Sequence, residues 1–185
     1  MRQLIADLFV SLDGFASGTN EAAYFGYFGH DLANWVREHL DERQVILMGR
    51  VTYEALARFA ASATDEVSVR MRMLPKLVFS NTLHQPLAWS NTGLISGNVG
   101  DAVTVLKQQD GDPLRCIGSI HLVRSLAKLG LIDRIRLMVF PLILGETGRE
   151  PIFVDYPRLA LELVATKVLD SRLILLEYQA AARTS

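Results

Sequence analysis

The chain has 185 residues and a mass of 20.6 kDa, with 50% hydrophobic and 21% charged residues, a composition that fits one folded domain and excludes a largely disordered protein. Nineteen basic and twenty acidic residues give a formal net charge of −1. This balance gives no electrostatic reason to expect nucleic acid or a membrane surface as a partner.

Strands and helices are predicted to alternate through the first part of the chain. Leu4–Val10 is short, apolar and β-prone, and it runs into a predicted loop at Ser11–Gly14. Apolar side chains at helical spacing predict a helix over Asp31–Arg43. The continuous apolar run Val45–Met48 is typical of a strand covered on both faces, and Thr52 is predicted to open the helix that follows.

The same alternation continues toward the C-terminus and then stops. Further strands are predicted at 76–79, 94–95 and 115–117, and helices at 64–74, 101–109 and 120–129, the first of them capped by Thr64. After Gly130 only strands are predicted, and the last two, at 159–163 and 172–178, resemble an antiparallel hairpin. We therefore predict a single α/β domain over residues 1–185, with a mixed, mostly parallel sheet, flanking helices and a C-terminal antiparallel hairpin.

The cysteine and histidine content limits the kinds of disulfide and metal site that the chain can form. The single cysteine, Cys116, excludes an intrachain disulfide and a cysteine-based zinc site, and its apolar flanks predict a buried thiol. The four histidines show no metal-ligand spacing, so we expect no metal. Charge interrupts the first residues too early for a signal peptide, and no apolar stretch reaches the roughly 18–20 residues of a membrane span. We expect a cytoplasmic protein.

Three predicted strand ends carry Gly, Ser or Thr directly before a helix or turn. They are Gly49-Arg50-Val51-Thr52, Ser80-Asn81-Thr82 and Gly118-Ser119. Ligands of open α/β sheets bind outside the carboxyl ends of the strands, where helix N-termini offer free N–H groups and a positive dipole end to phosphate. Arg50 adds a guanidinium fork. One such turn is usually only a helix cap, whereas three along one edge indicate a ligand with several phosphates, such as a dinucleotide.

Two common nucleotide-binding motifs are missing from these turns. The chain has neither the Gly-x-Gly-x-x-Gly fingerprint nor a P-loop, which disfavours an ordinary Rossmann domain and an NTPase. The aromatic stretch Tyr24–Phe28 lies in a long irregular segment. It could provide a stacking surface for a heteroaromatic ring, or it could be a lid or a dimer contact.

The segment Ile46–Glu54 resembles the Gly-Arg-x-Thr-aromatic-Glu segment of the dihydrofolate reductase fold. Ser11-Leu12-Asp13-Gly14 resembles the opening of one branch of that fold, the C-terminal reductase domain of the bifunctional riboflavin-biosynthesis deaminase–reductase and its stand-alone relatives. Further matches follow in order at Lys76–Leu83, Trp89, Leu106-Lys107, Ile117–Leu126, Gly130–Asp133 and Pro141–Gly145. The resemblance covers nearly the whole chain.

This resemblance implies the dihydrofolate-reductase-like fold, NADPH as cofactor and a homodimer. It places two groups of residues at phosphates, namely Gly49, Arg50 and Thr52 at the pyrophosphate and Gly118, Ser119 and Ile120 at a second turn. It places two more groups at the ends of the cofactor, namely Ser80, Asn81 and Thr82 near the adenosine ribose and its 2′-phosphate, and Ser11, Asp13 and Gly14 beside the nicotinamide and the substrate. Relatives often show Asp-Glu where this chain has Asp133-Arg134, which leaves the substrate open.

Two carboxylates are candidate proton donors. Asp13 follows the first strand, and Asp31 lies where folate-reducing relatives place an acid on the first helix. The alternative for Asp31 is an exposed aspartate that only meets the helix dipole. We predict an NADPH-dependent reductase that transfers a hydride to a small heteroaromatic or carbonyl-containing metabolite. The alternatives are a non-catalytic nucleotide- or ligand-binding module on the same fold and a true dihydrofolate reductase.

Overall fold

The computed structural model describes residues 1–60 and 63–181, with the backbone alone at residue 59. Its strands are β1 Leu4–Ser11, β2 Phe15–Gly18, β3 Val45–Gly49, β4 Lys76–Phe79, β5 Thr92–Ile95, β6 Leu114–Ile117, β7 Arg134–Phe140, β8 Gly148–Pro151, β9 Leu161–Leu169 and β10 Leu173–Ala180. Its helices are α1 His30–Asp41, α2 Arg50–Ala60, α3 Glu66–Met73, α4 Val99–Gln108 and α5 Ile120–Lys128. None of the helices in these described ranges is long and apolar enough to cross a membrane.

Eight strands form one mixed sheet in the order β5-β4-β3-β6-β1-β7-β10-β9. The pairings from β5 to β7 are parallel, and β7-β10-β9 are antiparallel. The predicted mixed, mostly parallel sheet with a closing antiparallel hairpin is thereby confirmed. A separate ribbon of β2 and β8 was not predicted, because its four-residue strands are short and lie far apart in the sequence.

Apolar cores lie on both faces of the sheet, as a parallel sheet requires. One core packs α1 against the sheet through side chains such as Leu32 and Trp35. The other packs α4 and α5 through Val103 and Leu126. Cys116 lies in this second core, where burial raises the pKa of its thiol, so the prediction of a buried thiol is confirmed.

Several helix starts differ from their predicted positions, and α4, for example, begins at Val99 rather than at residue 101. Helix α2 begins at Arg50 rather than Thr52, which brings the whole Gly-Arg-x-Thr segment to the helix N-terminus. Helix α3 is capped by Asp65 rather than Thr64, because the Asp65 carboxylate accepts the backbone N–H of Ser68 at 2.9 Å. A carboxylate is a stronger acceptor there, and its charge also meets the helix dipole.

Buried charges of alternating sign cross four adjacent strands. Asp7 of β1 pairs with Arg115 of β6, and Arg136 Nη1 of β7 lies 4.0 Å from Asp7 Oδ1. Arg136 Nε lies 3.7 Å from Glu177 Oε1 of β10, and Arg115 Nη1 donates to the carbonyl of His39 at 3.0 Å. Because Asp7 is only 5% exposed, its charge depends on these guanidinium groups for compensation.

Replacing Arg115 with Met should therefore destabilise the fold strongly, because the Asp7 carboxylate would remain buried without its main partner. Loss of one partner of a buried ion pair costs about 3–5 kcal/mol of unfolding free energy. Urea denaturation followed by circular dichroism measures the effect.

Arg43→Ala is the matched control. Arg43 Nε lies 3.1 Å from Asp112, but its side chain is 87% exposed, and exposed pairs contribute only about 0–1 kcal/mol. Equal losses in the two variants would show that the Asp7–Arg115 pair does not stabilise the fold as argued.

Candidate functional site

A cleft of about 1020 Å³ opens along the carboxyl ends of the central strands. Asp7 and Phe9 of β1 line it at the sheet, and Trp35 lines it from α1. The turns that follow β3 and β6 line the cleft together with the first residues of α2 and α5. The site thus lies at the sheet edge where open α/β proteins bind ligands.

The turns after β3 and β6 are joined directly by two hydroxyl side chains. Ser119 Oγ donates to Thr52 Oγ1 at 2.8 Å, and the Ser119 backbone N–H donates to the same Thr52 oxygen at 3.1 Å. The backbone N–H of Gly49 in turn donates to Ser119 Oγ at 2.9 Å. Two of the three turns expected to meet at one edge are therefore in contact.

The turn before α5 has a left-handed backbone at two successive residues. Gly118 has φ 52° and Ser119 has φ 53°. A Cβ at Gly118 would lie 3.7 Å from Thr52 Cγ2, which is an ordinary contact distance, so the backbone angle rather than the space between the turns favours glycine here. The left-handed conformation costs a serine about 1–2 kcal/mol, which its hydrogen bonds to Thr52 and Gly49 offset.

Free backbone amides remain at this edge of the cleft. Among the described residues, the backbone N–H groups of Ile120, His121 and Leu122 have no hydrogen-bond partner, as is usual for the first turn of a helix. The first amides of α2 likewise lack acceptors within their own helix. By contrast, the Gly49 and Ser119 amides already bind hydroxyl oxygens. Any anion here would therefore meet the first turns of the helices rather than the Gly49 and Ser119 amides.

The third turn follows β4 and lies one strand further along the sheet. Ser80 Oγ accepts the backbone N–H groups of Thr82 at 3.1 Å and Leu83 at 3.0 Å. Asn81 Oδ1 accepts the N–H of Gly97 at 2.7 Å. In the described part of the chain, Phe79 lines the cleft but Ser80, Asn81 and Thr82 do not. This turn shares the sheet edge with the other two without joining them.

Asp13 holds the loop after β1 against the segment that precedes β8. Its carboxylate accepts from Ser11 Oγ at 2.7 Å and from the backbone N–H groups of Leu144 at 3.1 Å and Gly145 at 2.8 Å. These bonds, the one from Ser11 foremost, lower the pKa of Asp13. Within the described cleft lining, Ser11, Asp13 and Gly14 are absent. The structure thus shows Asp13 as an ionised tether beside the cleft.

Asp31 takes part in a reciprocal cap at the start of α1. Asp31 Oδ2 accepts the backbone N–H of Asp170 at 2.8 Å, while the Asp170 carboxylate accepts the N–H groups of Asp31 at 2.8 Å and Leu32 at 3.1 Å. The pair joins α1 to the turn between β9 and β10. Asp31 is exposed and is not part of the described cleft lining, which favours the alternative of an aspartate at a helix start.

Two charged residues that the sequence analysis did not single out also line the cleft, together with part of the aromatic stretch that it did. Asp7 and Arg115 lie there as a buried ion pair, and a charge inside an otherwise apolar strand was the available signal. Tyr24 and Phe25 line the cleft from the aromatic stretch, and both have left-handed backbone angles, φ 55° and φ 51°. Burial raises the pKa of Tyr24, with its ring 5.5 Å from that of Phe9. Part of this stretch therefore contributes aromatic surface to the cleft.

Comparison with known proteins gives a consistent assignment. The profile of the RibD C-terminal domain family matches residues 2–175. The Bacillus subtilis protein YyaP is 28% identical over 183 residues, covering 96% of this chain and 94% of that protein. A pyrimidine reductase-like protein from Corynebacterium diphtheriae superposes with a TM-score of 0.68 at 16% identity, over 98% of this chain and 92% of that one.

A dihydrofolate reductase shares the same architecture. The enzyme from Enterococcus faecalis, in complex with NADP(H) and the compound RAB-propyl, superposes with a TM-score of 0.63 at 12% identity, over 97% of both chains. At this level of identity the similarity establishes the fold. The predicted dihydrofolate-reductase-like fold is confirmed.

Substitutions at Ser119 test the strained turn. Ser119→Ala and Ser119→Gly both lose the hydroxyl, but only glycine relieves the left-handed backbone. We expect the alanine variant to be less stable than the glycine variant by about 1–2 kcal/mol in urea denaturation.

Ser125→Ala provides the control within the same helix. Ser125 is exposed and its hydroxyl donates only to the carbonyl of His121, so a change within about 0.5 kcal/mol is expected. An alanine variant at position 119 as stable as the glycine variant would contradict the argument about strain.

Proposed function

The chain belongs to the RibD C-terminal domain family, and on that premise we propose that it is an NADPH-dependent reductase that transfers a hydride to a small heteroaromatic or carbonyl-containing metabolite. The family supports a reductase-like function of the riboflavin-pathway type. One observation carries the cofactor part of the proposal. The N-termini of α2 and α5 meet at one end of the cleft, and in the described part of the chain the α5 amides of Ile120–Leu122 are unpaired, which suits a diphosphate.

The residues at this end fit an NADPH diphosphate in chemistry. The amides of Ile120–Leu122 would donate to phosphate oxygens, and two helix dipoles add positive potential without an ionisable group. Bound NADPH supplies the hydride, from C4 of its nicotinamide ring.

Arg50 is the arginine at this end of the described cleft lining. Its Nη1 lies 2.9 Å from Glu54 Oε2, and its side chain is 45% exposed, so the guanidinium has room to turn toward a phosphate. A bidentate contact to a phosphate is the geometry that an arginine favours. We assign Arg50 to the diphosphate, where its guanidinium would exchange the contact with Glu54 for a contact with a phosphate.

The chain contributes alignment of the reactants to the proposed reaction. Phe9, Tyr24 and Trp35 provide flat apolar surface in the cleft. Asp7, the carboxylate on the sheet side of the cleft, is held in an ion pair by Arg115. We therefore assign the proton that accompanies the hydride to solvent. The position of Asp31 outside the described cleft lining weighs against a true dihydrofolate reductase.

We further propose that the protein is a homodimer that uses β9. This nine-residue strand ends the sheet and leaves its outer edge unpaired among the described residues. Leu163 and Val168 are 57% and 61% exposed, and Ile174, which pairs with Val168 across the strands, is 42% exposed. An exposed apolar edge strand is unfavourable in a monomer, and a second copy of this chain would cover it.

Arg50→Ala should weaken NADPH binding. Loss of a hydrogen bond from a charged group costs about 1.5–3 kcal/mol, which corresponds to about a 10- to 100-fold rise in the NADPH Kd. Titration of nucleotide fluorescence measures Kd. Arg58→Ala, which removes an exposed arginine near the other end of α2, should leave Kd unchanged. An unchanged Kd in Arg50→Ala would remove Arg50 from the site, and no NADPH binding by the unaltered protein would refute the cofactor proposal.

Val168→Glu should convert the dimer to a monomer, because each copy would bury a carboxylate at the interface. Sedimentation at micromolar concentration should then show the chain mass of 20.6 kDa instead of twice that mass. Val105→Glu is the control, since Val105 is similarly exposed at 54% but lies on α4. A monomeric unaltered protein would contradict the proposal.

A further inference from the structure

Away from the phosphate-facing turns, the cleft is an apolar chamber between α1, α2 and α3. Its walls carry no charged side chain among the described residues of these three helices, apart from Arg50 at the start of α2. The apolar residues that line it are Trp35, Val36, Leu40, Leu56, Val67 and Met71. We call this part of the cleft the chamber.

Both arginines of the described cleft lining are engaged in ion pairs. In the described lining, the basic residues besides His121 are Arg50, at the diphosphate end, and Arg115. Arg115 is only 6% exposed, and it is already paired with Asp7 and bonded to the carbonyl of His39. Turning it toward a ligand would leave the buried Asp7 carboxylate with only the longer, 4.0 Å contact to Arg136 among the described residues, at a cost of several kcal/mol.

The unpaired charges elsewhere in the cleft are negative. Glu21 and Glu150 line it from the side of the β2–β8 ribbon, and both are exposed. Glu150 Oε2 accepts a hydrogen bond from Ser17 at 3.2 Å, and neither carboxylate has a basic partner within 4.0 Å among the described residues. A negatively charged ligand would meet these carboxylates on entry.

We propose that the chamber selects an uncharged or cationic apolar molecule, and that the hydride acceptor carries no phosphate. A phosphate would lose its hydration against apolar walls, would meet the Arg115 guanidinium only as the partner of Asp7, and would be repelled by two carboxylates. An apolar ring gains by burial against Trp35, Leu56 and Met71. That the bound molecule accepts a hydride rests on the proposed function, whereas its charge preference rests on the cleft lining alone.

Two matched dyes test this selectivity without knowledge of the acceptor. N-phenyl-1-naphthylamine and 1-anilinonaphthalene-8-sulfonate share one aromatic skeleton and differ by a sulfonate. Both become fluorescent in apolar surroundings. With NADP⁺ present at saturation to fill the diphosphate end, the uncharged dye should bind at least about 10-fold more tightly, equivalent to about 1.4 kcal/mol. Equal binding, tighter binding of the sulfonate, or no binding of either dye would overturn the proposal.

Substitutions attribute the preference to the named residues. Glu21→Gln combined with Glu150→Gln should strengthen sulfonate binding several-fold and leave the uncharged dye unchanged, because only the sulfonate is repelled. Glu146→Gln changes an exposed carboxylate of the same segment outside the described cleft lining, and it should alter neither affinity. Equal effects of the double variant on both dyes would contradict the role of the two carboxylates.

A filled chamber shows where the dyes bind and separates this proposal from the proposed function. Leu56→Trp should weaken binding of the uncharged dye by about 10-fold, equivalent to about 1.4 kcal/mol, while the NADPH Kd stays unchanged. Undiminished dye binding would show that the dye lies elsewhere and would overturn the chamber assignment. If NADPH fails to bind but the dye preference and its loss in Leu56→Trp persist, the cofactor proposal fails and the selectivity of the chamber stands.

Discussion

The Asp7–Arg115 ion pair constrains the centre of this fold. Strand β1 lies between β6 and β7, and its buried carboxylate stands between the guanidinium groups of Arg115 and Arg136. Glu177 continues the alternation of sign on β10. A slip of one residue in any of these strands would move a charge to the opposite core, so the alternation helps to specify register. It also holds the Arg115 side chain in the ion pair, so Asp7 and Arg115 line the cleft as partners of each other.

The strained turn before α5 likewise both stabilises the fold and shapes the candidate site. Ser119 keeps a left-handed backbone because Thr52 and Gly49 engage its hydroxyl. That bonding occupies two amides expected to face a ligand, and it locks together the two turns from which α2 and α5 begin. The remaining free amides belong to helix first turns, whose positions are set by rigid elements rather than by loops. A diphosphate would therefore meet donors already in place.

The features that could be predicted from the sequence are those encoded locally. Apolar runs such as Val45–Met48 predicted buried strands, and the Gly-Arg-x-Thr segment predicted a helix start at the sheet edge. Contacts between distant residues escaped prediction. Asp170 caps α1 from 139 residues away, and Asp13 tethers a segment 131 residues downstream, so neither role leaves a local signal. For the same reason, the parallel direction of the three strands could not show that the turn at Ser80–Thr82 makes no contact with the other two turns.

Different interactions would bind a ligand at the two ends of the cleft. Backbone groups would act at one end and side chains at the other. At the proposed diphosphate end, peptide dipoles and backbone N–H groups would carry the attraction, and these do not depend on the identity of most side chains. In the chamber, the proposed selectivity would come from side chains such as Leu56 and Met71 and from the ion pair that holds Arg115. Under the proposed function, substitution in the chamber could therefore change the acceptor while the diphosphate end is preserved. The fold would then constrain the proposed cofactor more than it constrains the proposed acceptor.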